Sequence, residues 1–156
     1  MKRICLLSDS HGARNDLENL IMENNFDYVF FMGDGLDDLE FVYTDSKIEK
    51  VCGNCDFFSN ADITKFVNVE DKRIMITHGH HFRIKLTMNL LIQSAKQNFC
   101  DIVCFGHTHM QGMEEYYGIK FINPGSFRNG EYAILTLEKN KQPEVEFCVL
   151  DKDNKK

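Results

Sequence analysis

All six histidines of this chain fall in three tight clusters: His11 in DSHG, His78, His80 and His81 in THGHH, and His107 and His109 in GHTH. Each cluster directly follows a short apolar run, RICLL, RIMIT or IVCF, of the kind that forms a buried strand. Asp34 in MGDG and Asn54 in CGNC occupy the same position after two further runs. A single histidine or Asp at a strand end is ordinarily structural or turn chemistry. Asp9, His11, Asp34, Asn54, His78, His107 and His109, spread over successive strand ends, form a pattern that turn chemistry does not explain. Imidazole and carboxylate together suit borderline divalent ions such as Mn²⁺, Fe²⁺, Ni²⁺ or Zn²⁺ better than Ca²⁺ or a lone Mg²⁺. The set exceeds what one tetrahedral ion needs and suits two ions sharing a carboxylate. Two ions about 3.5–4 Å apart bind a phosphate oxygen, lower the pKa of a bridging water and hold a leaving oxygen.

Such a site requires strands that deliver their ends to one place. In α/β sheets the loops after the carboxyl ends of the strands converge on one crevice. After RICLL, Asn15 is the expected N-cap of a helix, with Glu18 three residues on and Leu17, Leu20 and Ile21 on its apolar face. Asn24 and Asn25 end it, and YVFFM and KIEKV read as further strands around a short, acidic, helix-prone segment at 37–43. This alternation predicts a largely parallel sheet. TKFVNV and RIMIT flank Glu70–Lys72 as a hairpin, and Ile84, Met88, Leu91 and Ala95 follow helical spacing. MEEYY, KFI, YAILTL and VEFCVL then make the later chain β-rich, with Gly118 and Gly130 in the connections. The expectation is one mixed α/β domain over residues 1–150 and a frayed tail over 151–156.

The 156 residues are 43% hydrophobic and 27% charged, an ordinary balance for one globular domain. With a formal net charge of −6, no long-range attraction to nucleic acid or an anionic membrane is expected. An anionic substrate must therefore be drawn in by local positive charge, such as bound metal. MKRICLLSDSHG is too short and too soon polar for a signal peptide, and no run approaches a membrane span of about 20 residues. A cytoplasmic chain with six reduced cysteines is expected.

Taken in order, DSH, GD, GNCD, THGH, GHTH and NPGS resemble the calcineurin-like metallophosphoesterase superfamily, and the short chain resembles its small YfcE-like phosphodiesterase branch. The resemblance runs from Asp9 to Ser126. It implies a four-layer α/β/β/α sandwich of two mixed sheets and two divalent ions, with Mn first and Fe, Zn or Ni as alternatives. By motif position, Asp9, His11 and His109 hold one ion, Asn54, His78 and His107 the other, and Asp34 bridges. The implied reaction is phosphodiester hydrolysis by a metal-bound hydroxide, with His11, Asp34, Asn54 and His78 as the catalytic set.

One position departs from the superfamily pattern. Many members carry a histidine after the Asn of GN, where this chain has Cys55. A thiol is a poor general acid beside imidazolium, so diesters with good leaving groups are favoured. Cys55, His80 and Arg14 are candidate substrate contacts; Arg128 is a weaker one, and Phe57 and Phe58 lie just beyond the site. Cys52 and Cys55 also form a C-x-x-C, but no helical period follows it and no second pair has zinc spacing. The rival readings are a phosphomonoesterase and a protein-binding scaffold that keeps the fold without turnover, as the retromer subunit of this branch does. Assembly with further copies of the chain is left open.

Overall fold

Ile4 to Leu7 are apolar at every position, so a strand there needs cover on both faces. The computed structural model, which describes residues 1–151, provides that cover with two sheets and two helices. The first elements are β1 (Lys2–Leu7), α1 (Arg14–Met22), β2 (Tyr28–Phe31), β3 (Lys47–Lys50), β4 (Thr64–Val69) and β5 (Lys72–Thr77). The rest are α2 (Asn89–Gln97), β6 (Ile102–Cys104), β7 (Gly112–Tyr116), β8 (Ile119–Asn123), β9 (Glu131–Leu137) and β10 (Glu144–Val149).

One sheet has the order β10-β9-β1-β2-β3 and the other β4-β5-β6-β8-β7. Both are mixed: β1, β2 and β3 are parallel, as are β5, β6 and β8, with antiparallel strands toward the edges. Alternate residues explain the layers. Ile4, Leu6, Phe30 and Met32 pack into one cluster with Ile74, Ile76, Ile102 and Ile122 of the second sheet. Cys5, Leu7, Val29 and Phe31 join Leu17, Leu20 and Ile21 of α1. Met75, Val103 and Phe121 join Leu91 and Ala95 of α2 in the same way. The result is the expected α/β/β/α sandwich, with β1, β2, β5, β6 and β8 buried on both faces toward their carboxyl ends. Six parallel strands therefore point their carboxyl ends at one rim.

The local expectations fared unevenly. The hairpin at Glu70 and Asp71 is present, with Val69 paired to Lys72. Asn15 is not the N-cap of α1: the helix already includes Arg14, and Ala13 precedes it without a side-chain cap. The preceding loop supplies the start instead, because the Ala13 N–H donates to Ser10 O and Gly12 N–H to the Asp38 carboxylate. Only Leu36–Leu39 of the acidic segment is helical, as a single 3₁₀ turn. α2 begins at Asn89, after Ile84 and Met88, although both pack into its cluster. A left-handed Arg83 (φ 53°) breaks any earlier helix. Of the expected tail, residues 152–156 lie outside the described residues.

Gly33 ends β2 at φ 97°, and a Cβ there would lie 2.5 Å from Gly53 N. Both the conformation and the close approach of two loops require glycine. Gly33→Ala is expected to lower stability by about 2 kcal/mol or more, read as a fall in the urea midpoint at constant slope.

Candidate metal centre

The candidate ligands sit in the rim loops, and the backbone there is unusual. Asp9, His11, Asp34, His107 and His109 all have positive φ, from 40° to 71°. Non-glycine residues are uncommon in that region, although Asp and His enter it more readily than most. Hydrogen bonds between loops hold them there. The N–H of Asp9 donates to Gly33 O at 2.9 Å, that of His11 to Asp34 O at 3.2 Å, and that of Gly106 to His78 O at 3.1 Å. Gly106 admits no side chain, since a Cβ would meet Ser8 Oγ at 2.0 Å.

These loops bring two groups of ligands together: Asp9 with His11 and His109, and Asp34 with His78 and His107. Within each group the donor atoms lie within 4.8 Å of one another. Asp9 Oδ1 is 3.2 Å from His109 Nε2 and 3.7 Å from His11 Nε2. Asp34 Oδ2 is 3.2 Å from His78 Nε2 and 3.8 Å from His11 Nε2, so it faces a histidine of each group. Asn54 Oδ1 lies 3.1 Å from His78 Nε2. Asp9 and His78 are wholly buried, and Asp34 is 3% exposed.

The donor chemistry fits a cation. His78 Nδ1 lies 2.7 Å from Met32 O, an acceptor, so that nitrogen carries the hydrogen. In the neutral ring, Nε2 then turns a lone pair toward Asp34 Oδ2 and Asn54 Oδ1, two further acceptors. Only a positive charge reconciles those atoms, whether a proton or a metal ion. Burial alone would push the His78 pKa down, but Asp34 and Asp9 raise it overall. Burial would likewise push Asp34 up, yet the His78 contact and the Cys55 N–H hold it well below the usual carboxylate range. The backbone carbonyl on Nδ1 is also the support that orients a metal-ligating imidazole.

The model of the calcineurin-like phosphoesterase superfamily domain matches residues 1–154 of this sequence. The chain belongs to that superfamily. A relative, the probable metallophosphoesterase YsnB of Bacillus subtilis, is 32% identical over 142 residues, covering 86% of this chain and 84% of its own. A crystal structure of a predicted phosphoesterase from Streptococcus pneumoniae superposes with a TM-score of 0.83 at 26% identity, over 95% of this chain and 89% of that one. A structure of an archaeal phosphodiesterase gives 0.75 at 26% identity, over 95% and 99%.

Other residues support the two candidate groups rather than join them. The Asp56 carboxylate accepts four backbone N–H groups, from Asp34, Gly35, Leu36 and Gly53, at 2.7–3.0 Å. It thereby pins the Asp34 and Asn54 loops to each other. Buried Asp38, which sequence reasoning passed over, accepts from Ser10 Oγ at 2.6 Å and Gly12 N–H at 2.9 Å, fixing the His11 loop. Its only sequence signal was an acidic run, which usually means a solvated face. The NPGS residues act similarly: Ser126 Oγ donates to Asp9 O, and Asn123 Nδ2 donates to Thr108 Oγ1 in the GHTH loop.

The structure does not bring every candidate into the groups. Arg14 donates to Asp37 O at 2.6 Å and lies 3.8 Å from Glu40, so the 3₁₀ turn engages it. Arg128 donates to His11 O at 2.7 Å. Cys55 is exposed, with its N–H on Asp34 Oδ1 at 2.8 Å; partial burial and the Asp34 charge raise its thiol pKa. His80 stacks 5.3 Å from His78, and its buried Nδ1 has no partner. Burial, with His81 and His78 nearby, pushes its pKa down to about 4, which works against a role as proton donor.

Asp56→Ala removes the shared acceptor but none of the candidate ligands. It is expected to weaken Mn²⁺ binding about 10–100-fold, measured by competition with a chelator.

Proposed function

We propose that the protein is a divalent-metal-dependent phosphodiesterase with a dinuclear centre. The observation that carries this is His78 Nε2 set between two oxygen acceptors, where the two ligand groups meet at the rim. In this reading Asp9, His11 and His109 hold one ion, Asn54, His78 and His107 the second, and Asp34 both. Mn²⁺ is the first expectation, with Fe, Zn²⁺ or Ni²⁺ also matched to the donors. Bound ions would supply a nucleophilic water at neutral pH and neutralise charge on the phosphoryl oxygens.

The protein's own part is to place and hold. Asp56 and Asp38 keep the carboxylate and histidine loops from relaxing, so the donors need not reorganise when a phosphate arrives. His11, whose side chain is 28% exposed, stands at the opening, where a phosphate oxygen would meet it. Cys55 stands where many relatives have a histidine, and its raised pKa leaves a neutral thiol beside the site. The leaving oxygen thus has no imidazolium at that position to protonate it. That asymmetry favours diesters with good leaving groups over monoesters.

A scaffold that had shed turnover should also have shed ligands, and here every motif position is filled. All six cysteines are free thiols, which suits the cytoplasm. No helix among the described residues is long and apolar enough to cross a membrane.

With Mn²⁺, bis-p-nitrophenyl phosphate should be hydrolysed faster than p-nitrophenyl phosphate, and Asp34→Ala or Asn54→Ala should abolish that turnover. Undiminished rates in both variants would sink the dinuclear mechanism. Bound metal without turnover on any phosphoester would favour the scaffold.

A further inference from the structure

A cleft of about 530 Å³ opens beside the candidate centre, lined by His11 and Asp34 together with Leu36, Asp37, Phe57 and Phe58. That volume lies in the range of small-molecule sites. Phe57 and Phe58 give the cleft an aromatic wall. Phe57 is 77% exposed and Phe58 104%, and neither belongs to a core cluster. Phe58 is also held at φ 63°. For a bulky residue that conformation is a genuine outlier, and strain of this kind gathers at functional sites. Two adjacent exposed rings on the wall of this cleft offer a flat apolar face to a substrate substituent.

The charge of the cleft says more about that partner. Asp37 is exposed along it; Asp38 and Asp56 also line it, with their carboxylates taken up by hydrogen bonds from Ser10, Gly12 and the Asp34 loop. No Lys or Arg is among its lining residues, and nearby Arg14 is engaged by Asp37 O, Glu40 and, at 4.0 Å, Asp38. A second phosphate on the substrate would face exposed Asp37 and find no Lys or Arg on the cleft lining. An uncharged ring would meet no such penalty, and a cationic one would gain from both the rings and the acids.

We propose that this cleft is the subsite for one ester substituent of the substrate, a flat ring that is uncharged or cationic and bears no further phosphate. The substrate class is then a phosphodiester of a ring-bearing alcohol, rather than an internal link of a nucleic-acid strand. The proposal rests on the phosphodiesterase reading for its chemistry, but the subsite itself is testable without turnover.

Phenylphosphonate and methylphosphonate offer the same anion with and without a ring, and their binding to the Mn²⁺-loaded protein can be compared by calorimetry. Wild type should bind the phenyl compound about tenfold more tightly. The exposed double variant Phe57→Ala/Phe58→Ala should keep its melting temperature and bring the two within about twofold. Phe58→Gly, which relieves the positive φ, should melt no lower than wild type yet lose part of the preference. 1,4-Phenylenediphosphonate should bind more weakly than phenylphosphonate, and Asp37→Lys should reverse that order. Equal affinity for the phenyl and methyl compounds in wild type overturns the subsite. So does a preference that survives loss of both rings, or a double variant whose only change is its oligomeric state. A phenyl preference in a protein that hydrolyses no diester leaves the subsite standing and removes the phosphodiesterase reading. Turnover of diesters without the preference does the reverse.

Discussion

Two carboxylates, Asp9 and Asp34, are buried where the ends of two sheets meet, and the rest of the rim is arranged around that fact. Removing a carboxylate from water costs several kcal/mol unless charge and hydrogen bonds compensate. Here the compensation is shared between backbone and side chains. Asp9 Oδ2 accepts from Ser8 Oγ and the His107 N–H, and Asp34 Oδ1 accepts from the Cys55 N–H. The remaining oxygens, Asp9 Oδ1 and Asp34 Oδ2, are turned to imidazole nitrogens rather than to N–H donors of the backbone. A pair of buried anions facing imidazole nitrogens is the common feature of the two candidate ligand groups.

Holding that arrangement requires precision in the loops, and the fold obtains it by interlocking them. Gly33 and Gly53 touch where no Cβ fits, while Gly106 lies against Ser8. Asp56 ties the loops after β2 and β3 with one carboxylate, and Asp38 ties the 3₁₀ turn to the His11 loop. Positive φ at five candidate ligands is tolerable because these contacts over-determine the backbone. The first sheet contributes both carboxylates, and the second contributes His78, His107 and His109. Neither sheet alone could make either group.

The strands and their ends were readable because a strand apolar on both faces leaves a strong local signal. The same holds for the candidate ligands, whose types and positions after those strands need no geometry to notice. Asp56 lies in the GNCD motif, so its place beside Asn54 was legible. Asp38 was not, because an Asp in an acidic run looks the same whether it faces water or caps a buried loop. The helix starts failed for a related reason. Asn15 carries a good cap signal, but contacts from Asp38 and Ser10 had already set where α1 begins. Local propensity lost to a tertiary hydrogen bond.

By itself, then, the sequence determined the donor set, its attachment to strand ends and the cover that each strand requires. These follow from side-chain chemistry and periodicity, which are properties of short segments. Only the tertiary structure decided which donors share a group, that Arg14 is drawn to the 3₁₀ turn, and that Phe57 and Phe58 stand in water beside the centre. Those depend on distances between residues far apart in the chain, set when two separately patterned sheets pack. The orientation of His78 shows the difference most clearly. Its identity as a donor is written in THGH, but the choice of Nε2 is made by the carbonyl of Met32, 46 residues away across the seam.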